Sequence, residues 1–268
     1  MERYRLKNII IIILLLLNVF LMGSLFTRET SERFSHSRAE EQLAALFAAD
    51  GISLSSETIP EENPPATLSL IRSMDYDRSI AEFFLGKSLT RADQGGGIHN
   101  YSGEKGVALF RSNGGFDIAG SLSSENGETL CRDFCKTFSL DEPVFALNEE
   151  GSGTASAACL YNGLPVMDCT VTFTFDRGIL MTVSGTALPA SNVAVTAEDP
   201  PLSAVAALTA FQQNRRETGA VVSSVTEVYA CYILQNSASS VSLAAAWCIV
   251  TDTSSYYVNC STGSVTSI

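Results

Sequence analysis

Residues 154–175 read TASAACLY-NG-LPVMDCTVTFTF, two strand-like runs separated by Asn162-Gly163. Asn-Gly is a strong signal for a two-residue hairpin turn, because both central positions of that turn need positive φ. A third strand-like run, Ile179 to Ser184, follows the turn residues Asp176-Arg177-Gly178. The segment therefore predicts three antiparallel strands joined by tight turns.

A helix precedes these strands, and the same order returns towards the C-terminus. Asn126 to Phe138 carries large apolar residues four positions apart, which is the spacing of one helix face. A second helix is predicted to start at Pro200-Pro201 and to end at Gly219, with Leu202 to Phe211 as its apolar part. Strands are predicted after it at 221–234, 246–251, 256–260 and 264–268. The repeated order predicts an α+β fold in which each helix covers one face of a sheet.

An apolar segment lies close to the N-terminus. Ile9 to Phe26 reads IIIIILLLLNVFLMGSLF and is long enough to cross most of a bilayer core. Arg3, Arg5 and Lys7 precede it, so the positive-inside rule keeps the N-terminus cytoplasmic and places the later residues outside. A cleaved signal peptide is the alternative, but the apolar run is long and no convincing cleavage motif follows it. We expect a single-pass membrane protein with an extracytoplasmic domain.

Composition narrows the classes of function. The 268 residues carry a net charge of −12, which argues against nucleic-acid binding, since that needs a basic surface. The two histidines, His36 and His99, are too few for a histidine-rich metal or proton-relay site.

Turn residues and prolines divide the chain into five predicted segments. Residues 1–8 form a cytoplasmic tail, 9–26 the transmembrane helix, and 27–90 a helical stalk with a linker at Pro60 to Pro65. Residues 91–190 are predicted to form a first α+β unit and 191–268 a second. Within 27–90 we expect helices at 30–49 and 66–85, ended by Gly51 and Gly86.

Two short stretches resemble a known family. The basic start running into an Ile/Leu anchor at Arg5-Leu6-Lys7-Asn8-Ile9 is similar to the YycH/YycI-type regulators of a cell-wall two-component system. The C-terminal stretch Ala246-Trp247-Cys248-Ile249-Val250, followed by Tyr256 to Gly263, is similar to those regulators and to PepSY-type domains. The resemblance implies PepSY-like helix-plus-meander units and a membrane sensor histidine kinase, or a paralogous regulator, as partner.

Seven cysteines are the most conspicuous reactive residues. Cys131 and Cys135 are four apart on a predicted helix, where Cβ atoms lie too far apart for a disulfide. A two-residue turn at Asn162-Gly163 sets Cys159 opposite Val166 and puts Cys169 on the other face. We therefore expect neither a Cys131–Cys135 nor a Cys159–Cys169 disulfide, and we interpret the cysteines as small apolar core residues. Longer-range bridges, for example from Cys231, stay open.

Other residue patterns do not reach a catalytic arrangement. His99 lacks a Gly-x-Ser-x-Gly partner motif and is interpreted as a surface-loop histidine. Gly95-Gly96-Gly97 is interpreted as a turn, because no Gly-Lys-Ser/Thr follows it. The neighbouring acids of Glu61-Glu62 and of Glu149-Glu150 are interpreted as solvent-exposed charge, and Trp247 as a core residue.

These observations favour a regulator without enzymatic activity, cofactor or metal. We expect a membrane-anchored extracytoplasmic protein that binds and modulates a sensor histidine kinase of a cell-envelope two-component system. The alternative is a PepSY-like binding module or peptidase inhibitor without a kinase partner, and a third candidate is an envelope hydrolase. Asn18, in the middle of the apolar segment, is the candidate for contact with a partner membrane helix.

Overall fold

The computed structural model describes residues 38–71, 73–123, 126–188, 193–195, 201–236 and 241–267. Its helices are α1 (38–49), α2 (Met74–Leu85), α3 (Gly127–Thr137) and α4 (Ala204–Thr218), with a 3-10 turn at Ser56–Thr58. Its strands are β1 (Leu68–Leu70), β2 (Thr90–Gly95), β3 (Ile98–Gly103), β4 (Gly106–Phe110), β5 (Gly115–Gly120), β6 (Val144–Leu147), β7 (Gly153–Tyr161), β8 (Leu164–Asp176), β9 (Ile179–Thr186), β10 (Val193–Val195), β11 (Val225–Asn236), β12 (Val241–Thr251), β13 (Ser255–Asn259) and β14 (Val265–Ser267).

All these strands belong to one mixed, 14-stranded sheet. Its main path runs β10-β1-β12-β11-β8-β9-β5-β4-β3-β2, while β13 and β14 extend from β12, and β7 and β6 extend from β8. The sheet branches at two strands, β8 and β12. Along one edge, β8 pairs first with β11 and then with β9. Along one edge of β12, one part pairs with β1 and another part pairs with β13.

The two halves of the sheet meet at a short parallel ladder between β8 and β11. Val166 pairs with Tyr232 and Met167 with Ile233, and these are the parallel contacts in a sheet whose other ladders are antiparallel. At the same place β8 bulges on its other side: Cys159 pairs with Val166, but the preceding Ala158 pairs with Thr170. Residues 167–169 thus have no counterpart in β7, and Asp168 adopts a positive φ of 59°.

The predicted fold class is therefore wrong. The described residues form a large mixed sheet, mainly β, instead of separate PepSY-like helix-plus-meander units. The reason is that strands from both predicted units hydrogen-bond into one sheet, through the β8–β11 ladder. A second connection adds to this: β12 pairs with β1, which lies in the segment predicted to be a stalk. The domain boundaries given above remain predictions.

Helices and sheet enclose two main hydrophobic cores. The first lies beneath α2 and α3 and contains Phe84, Phe134 and Phe173, each at most 1 % exposed. The second lies beneath α4, where Trp247 is fully buried and its indole Nε1 donates to the carbonyl of Leu202 at 2.9 Å. Tyr232 of β11 belongs to the first core, so apolar packing continues across the β8–β11 ladder.

Helix α1 packs on α4 and contributes to the second core. The Phe47 ring is fully buried and stacks on Phe211, with ring centroids 6.2 Å apart. Beyond the helix, the Asp50 carboxylate accepts hydrogen bonds from Arg215 at 2.7 Å and from Arg216 at 2.8 Å. The hydrogen bond from Arg216 is the main cause that holds the pKa of Asp50 below its ordinary value.

The expected membrane helix does not occur in the described residues. No helix there is long and apolar enough to cross a bilayer, and the longest, α4, is amphipathic and carries Arg215 and Arg216 in its last turn. This finding contradicts the predictions of a single-pass membrane protein with a cytoplasmic N-terminus and an extracytoplasmic domain. The apolar segment 9–26, on which those predictions depended, lies outside the described residues.

The hydrogen bonds of Asp50 with Arg215 and Arg216 predict a loss of stability in acid. Because the folded-state pKa of Asp50 is lowered, its contribution is fully present above the unfolded pKa of about 3.9 and is lost as the pH falls through the folded value. We expect Asp50→Asn to lower Tm by a few degrees at pH 7 and to have a much smaller effect near pH 2.5. Thermal unfolding followed by circular dichroism measures both values.

The matched control is Asp133→Asn, which removes an exposed carboxylate in the middle of α3. It should change Tm little at either pH. An equal loss of Tm for Asp50→Asn at pH 7 and pH 2.5 would show that the carboxylate charge does not hold α1 on α4.

Candidate functional site

Strand β2 is the most exposed strand of the sheet. All six of its residues are exposed, so neither face of the strand is covered. Among the described strands it pairs only with β3, and it ends the main path of the sheet. One row of its backbone N–H and C=O groups therefore faces away from the sheet, which is the geometry to which an added strand can bind.

The position of β2 depends on a glycine turn after it and on the close approach of its partner strand β3 to α2. Gly95, Gly96 and Gly97 all have positive φ and form the turn between β2 and β3. In β3, a Cβ atom added at Gly103 would lie 2.8 Å from the carbonyl oxygen of Leu85. A larger residue at 103 would push α2 away from the sheet, so this glycine lets the β2–β3 hairpin lie against the end of the helix.

Three polar side chains interact across the β2–β3 hairpin. The Arg91 guanidinium donates to Nδ1 of His99 at 3.2 Å, and an Asp93 carboxylate oxygen lies 3.6 Å from the same nitrogen. His99 is paired with Asp93 in the strand register, and its side chain is only 13 % exposed. The arrangement places Arg91 and Asp93 on the surface as neighbouring charges of opposite sign, and these three side chains include no hydroxyl or thiol group.

A shallow cleft lies between this hairpin and the start of α2. The phenol of Tyr101 donates to the carbonyl of Met74 at 3.5 Å across the cleft. The Met74 side chain is half exposed, and Ile71 nearby in sequence is 59 % exposed. The cleft is lined by Met74, Asp75, Arg78, Leu89, Arg91 and Tyr101. Charged, aromatic and apolar side chains together can contact an extended peptide that lies along β2.

The residues that the sequence singled out fall in different places. His99 lies in strand β3 and not in a loop, and the glycines at 95–97 form a turn as expected. Glu61-Glu62 and Glu149-Glu150 are exposed, as expected, and do not converge. Trp247 is confirmed as a core residue. Asn18 lies outside the described residues.

The seven cysteines are all buried free thiols. Their burial confirms the interpretation as core residues, but one part of the register argument is wrong. Cys159 pairs with Val166 as expected, yet the bulge at 167–169 returns Cys169 to the same face, and both side chains are in the first core. The Cys159 and Cys169 thiols are in hydrogen-bond contact, which together with burial raises the pKa of Cys169.

Two other thiol arrangements lie elsewhere in the described chain. Cys131 and Cys135 contact each other on α3, and this hydrogen bond is the main cause that raises the pKa of Cys131. Cys248 lies between Tyr229 and Tyr257, which are its direct cross-strand neighbours in β11 and β13. Within residues 38–268, as far as they are described, no three histidine, cysteine or acidic side chains converge to hold a metal ion.

The exposed hairpin was not found by sequence reasoning. Residues 90–95 read TRADQG, which has no apolar alternation because neither face of the strand is buried. The one usable signal was the Gly95-Gly96-Gly97 turn, which can join two strands as well as open a loop.

Comparisons with known proteins add little to this description. No family model and no curated protein matches the chain. A solved structure of an uncharacterized protein from Eubacterium rectale is similar to it with a TM-score of 0.39 and 9 % sequence identity. That similarity covers 76 % of this chain and 81 % of that chain.

Proposed function

We propose that this protein is a non-catalytic regulator that acts by binding another protein along strand β2. In the specific form implied by the YycH/YycI resemblance, the partner is a sensor histidine kinase of a cell-envelope two-component system. The observation that carries the proposal is that β2 is exposed on both faces and, within the described sheet, hydrogen-bonded on one side only.

A strand with this geometry supports binding by strand addition. Backbone hydrogen bonds along the free edge provide affinity, and side chains at alternate positions provide specificity. On β2 the specificity would come from Arg91, which is held by its hydrogen bond to His99, and from Asp93, whose carboxylate accepts a hydrogen bond from the Gly95 N–H at 2.8 Å. A wrong partner would place a like charge opposite one of them or leave one buried without a partner, and either costs free energy. This pair therefore also restricts which strands can align with β2.

The second free edge in the same part of the sheet differs in chemistry. Strand β6 reads VFAL and carries no charge, and Val144 is 71 % exposed. It is only four residues long, and the Arg132 guanidinium lies over the Phe145 ring at 4.7 Å. Its shorter free edge makes β6 the weaker candidate and the natural control for β2.

The proposal predicts that one added side chain on β2 weakens binding. Ala92 and Ala146 are both exposed alanines in edge strands, in β2 and β6. We expect Ala92→Lys to raise the Kd for the kinase about tenfold or more, since a long charged side chain obstructs the added strand. Ala146→Lys, the matched control, should leave the Kd nearly unchanged. The measurement is titration of the full chain against a purified sensor histidine kinase of a cell-envelope two-component system from the same organism, with kinase autophosphorylation followed in parallel.

Two results would contradict different parts of the proposal. If the unmodified chain neither binds the kinase nor changes its autophosphorylation, the partner is wrong. If binding occurs but Ala92→Lys and Ala146→Lys behave alike while circular dichroism shows both folded, β2 is not the binding site.

A further inference from the structure

Cys159 and Cys169 are brought together by an irregularity of the sheet. In a regular hairpin with a two-residue turn at Asn162-Gly163, position 169 would face away from position 159. Instead, Cys159 pairs with Val166 while Ala158 pairs with Thr170, so the extra residues of β8 form a bulge. The left-handed φ of Asp168 turns the chain so that the next residue, Cys169, enters the same core as Cys159.

The two side chains have the burial and position that a disulfide needs. Cys159 is 1 % exposed and Cys169 is 2 % exposed. Each directly neighbours one member of the Ala158–Thr170 pair, and both side chains lie in the first core. A disulfide requires Cβ atoms about 3.5–4.5 Å apart, which is closer than the about 4.5–5.5 Å of a regular cross-strand pair. A bulge supplies the needed movement, because residues 167–169 are not held by a regular ladder with β7.

We propose that Cys159 and Cys169 form a disulfide that fastens β7 to β8 beside the junction of the two sheet halves. The bond forms by thiol–disulfide exchange with a small-molecule disulfide such as oxidised glutathione. A thiolate of the pair attacks one sulfur of the small molecule and releases one thiol. The second cysteine then attacks the mixed disulfide and releases the other thiol. The protein loses two protons and two electrons, and the small disulfide is reduced to two thiols.

The position of this bond gives it a structural consequence. Val166 and Met167, which form the parallel ladder with β11, lie between the two cysteines in the chain. A Cys159–Cys169 bond would close a small loop that contains both residues. It would therefore hold the β8 end of the ladder in place and reduce the freedom of the unfolded chain.

Cys131 and Cys135 provide the internal comparison. They also contact each other and are equally buried, but they lie four residues apart on α3. A disulfide between them would require the helix to unwind, because helical backbone has no residue to spare. The proposal therefore assigns disulfide formation to the bulged pair and not to the helical pair.

Peptide mapping of the full chain tests the proposal directly. The protein is refolded in a mixture of oxidised and reduced glutathione, its remaining thiols are alkylated, and it is digested without reduction. Residues 137–176 contain no lysine or arginine, so trypsin leaves both cysteines on one peptide and cleavage at Tyr161 or before Asp168 is needed. We expect a cross-linked peptide pair that contains Cys159 and Cys169, and alkylated Cys131 and Cys135. Alkylation of both Cys159 and Cys169, or a bond from either of them to another cysteine, would overturn the proposal.

Thermal unfolding gives a second readout. We expect Tm of the unmodified chain to be several degrees higher after oxidised refolding than in the presence of dithiothreitol. Cys159→Ser should abolish this difference, whereas Cys131→Ser should preserve it. A redox-dependent Tm shift of the same size in Cys159→Ser would also overturn the proposal, and the peptide map of the unmodified chain decides it even if Cys159→Ser does not fold.

Discussion

The parallel ladder between β8 and β11 is the constraint on which the rest of the structure depends. It consists of two residue pairs, Val166–Tyr232 and Met167–Ile233, yet it joins strands that are about sixty residues apart in the chain. Parallel strands need a long crossover connection, and here that connection contains β9, β10 and α4. Among the described strands, no other pairing joins β2–β9, around α2 and α3, to β1 and β10–β14, so without the ladder the sheet would divide in two.

The bulge in β8 makes this arrangement possible. A strand of 13 residues that twists regularly would keep one neighbour along each side, but β8 has β11 beside its first part and β9 beside its last part. The irregular residues 167–169 begin at Met167, the last residue paired with β11, and precede Thr172, the first residue paired with β9. Aromatic packing supports the same point: the rings of Tyr161 and Tyr232 meet edge to face, with centroids 5.9 Å apart.

Local signals in the sequence predicted local structure well. Asn162-Gly163 marks the β7–β8 turn, and both residues have the positive φ that the turn requires. The apolar spacing in 126–138 corresponds to α3, and Gly219 ends α4 in a left-handed conformation. Local sequence patterns do not determine which strands, far apart in the chain, pair with each other. Leu68–Leu70 reads as part of a helix but pairs with β10 and β12, which supply its hydrogen bonds. The bulge at Asp168 was missed for the same reason, and with it the contact between Cys159 and Cys169.

The candidate binding site was beyond sequence reasoning because its strand is exposed on both faces. Period-two alternation arises when one face is buried, and β2 has no buried residue. The sequence shows that His99 lacks the motif of a hydrolase. Its contact with Arg91, however, depends on strand pairing that the sequence did not indicate. The position of these groups on a free edge is consistent with binding and regulation as the proposed role.

The most direct test of this account is whether both halves of the sheet unfold together. Trp247 is the single tryptophan of the chain and lies in β12, so its fluorescence follows the half beneath α4, whereas far-ultraviolet circular dichroism follows all helices and strands. If the β8–β11 ladder and the shared core join the halves, urea unfolding should give one transition, with the same midpoint and slope by both methods. Two separate transitions, with Trp247 fluorescence following only one of them, would contradict the account.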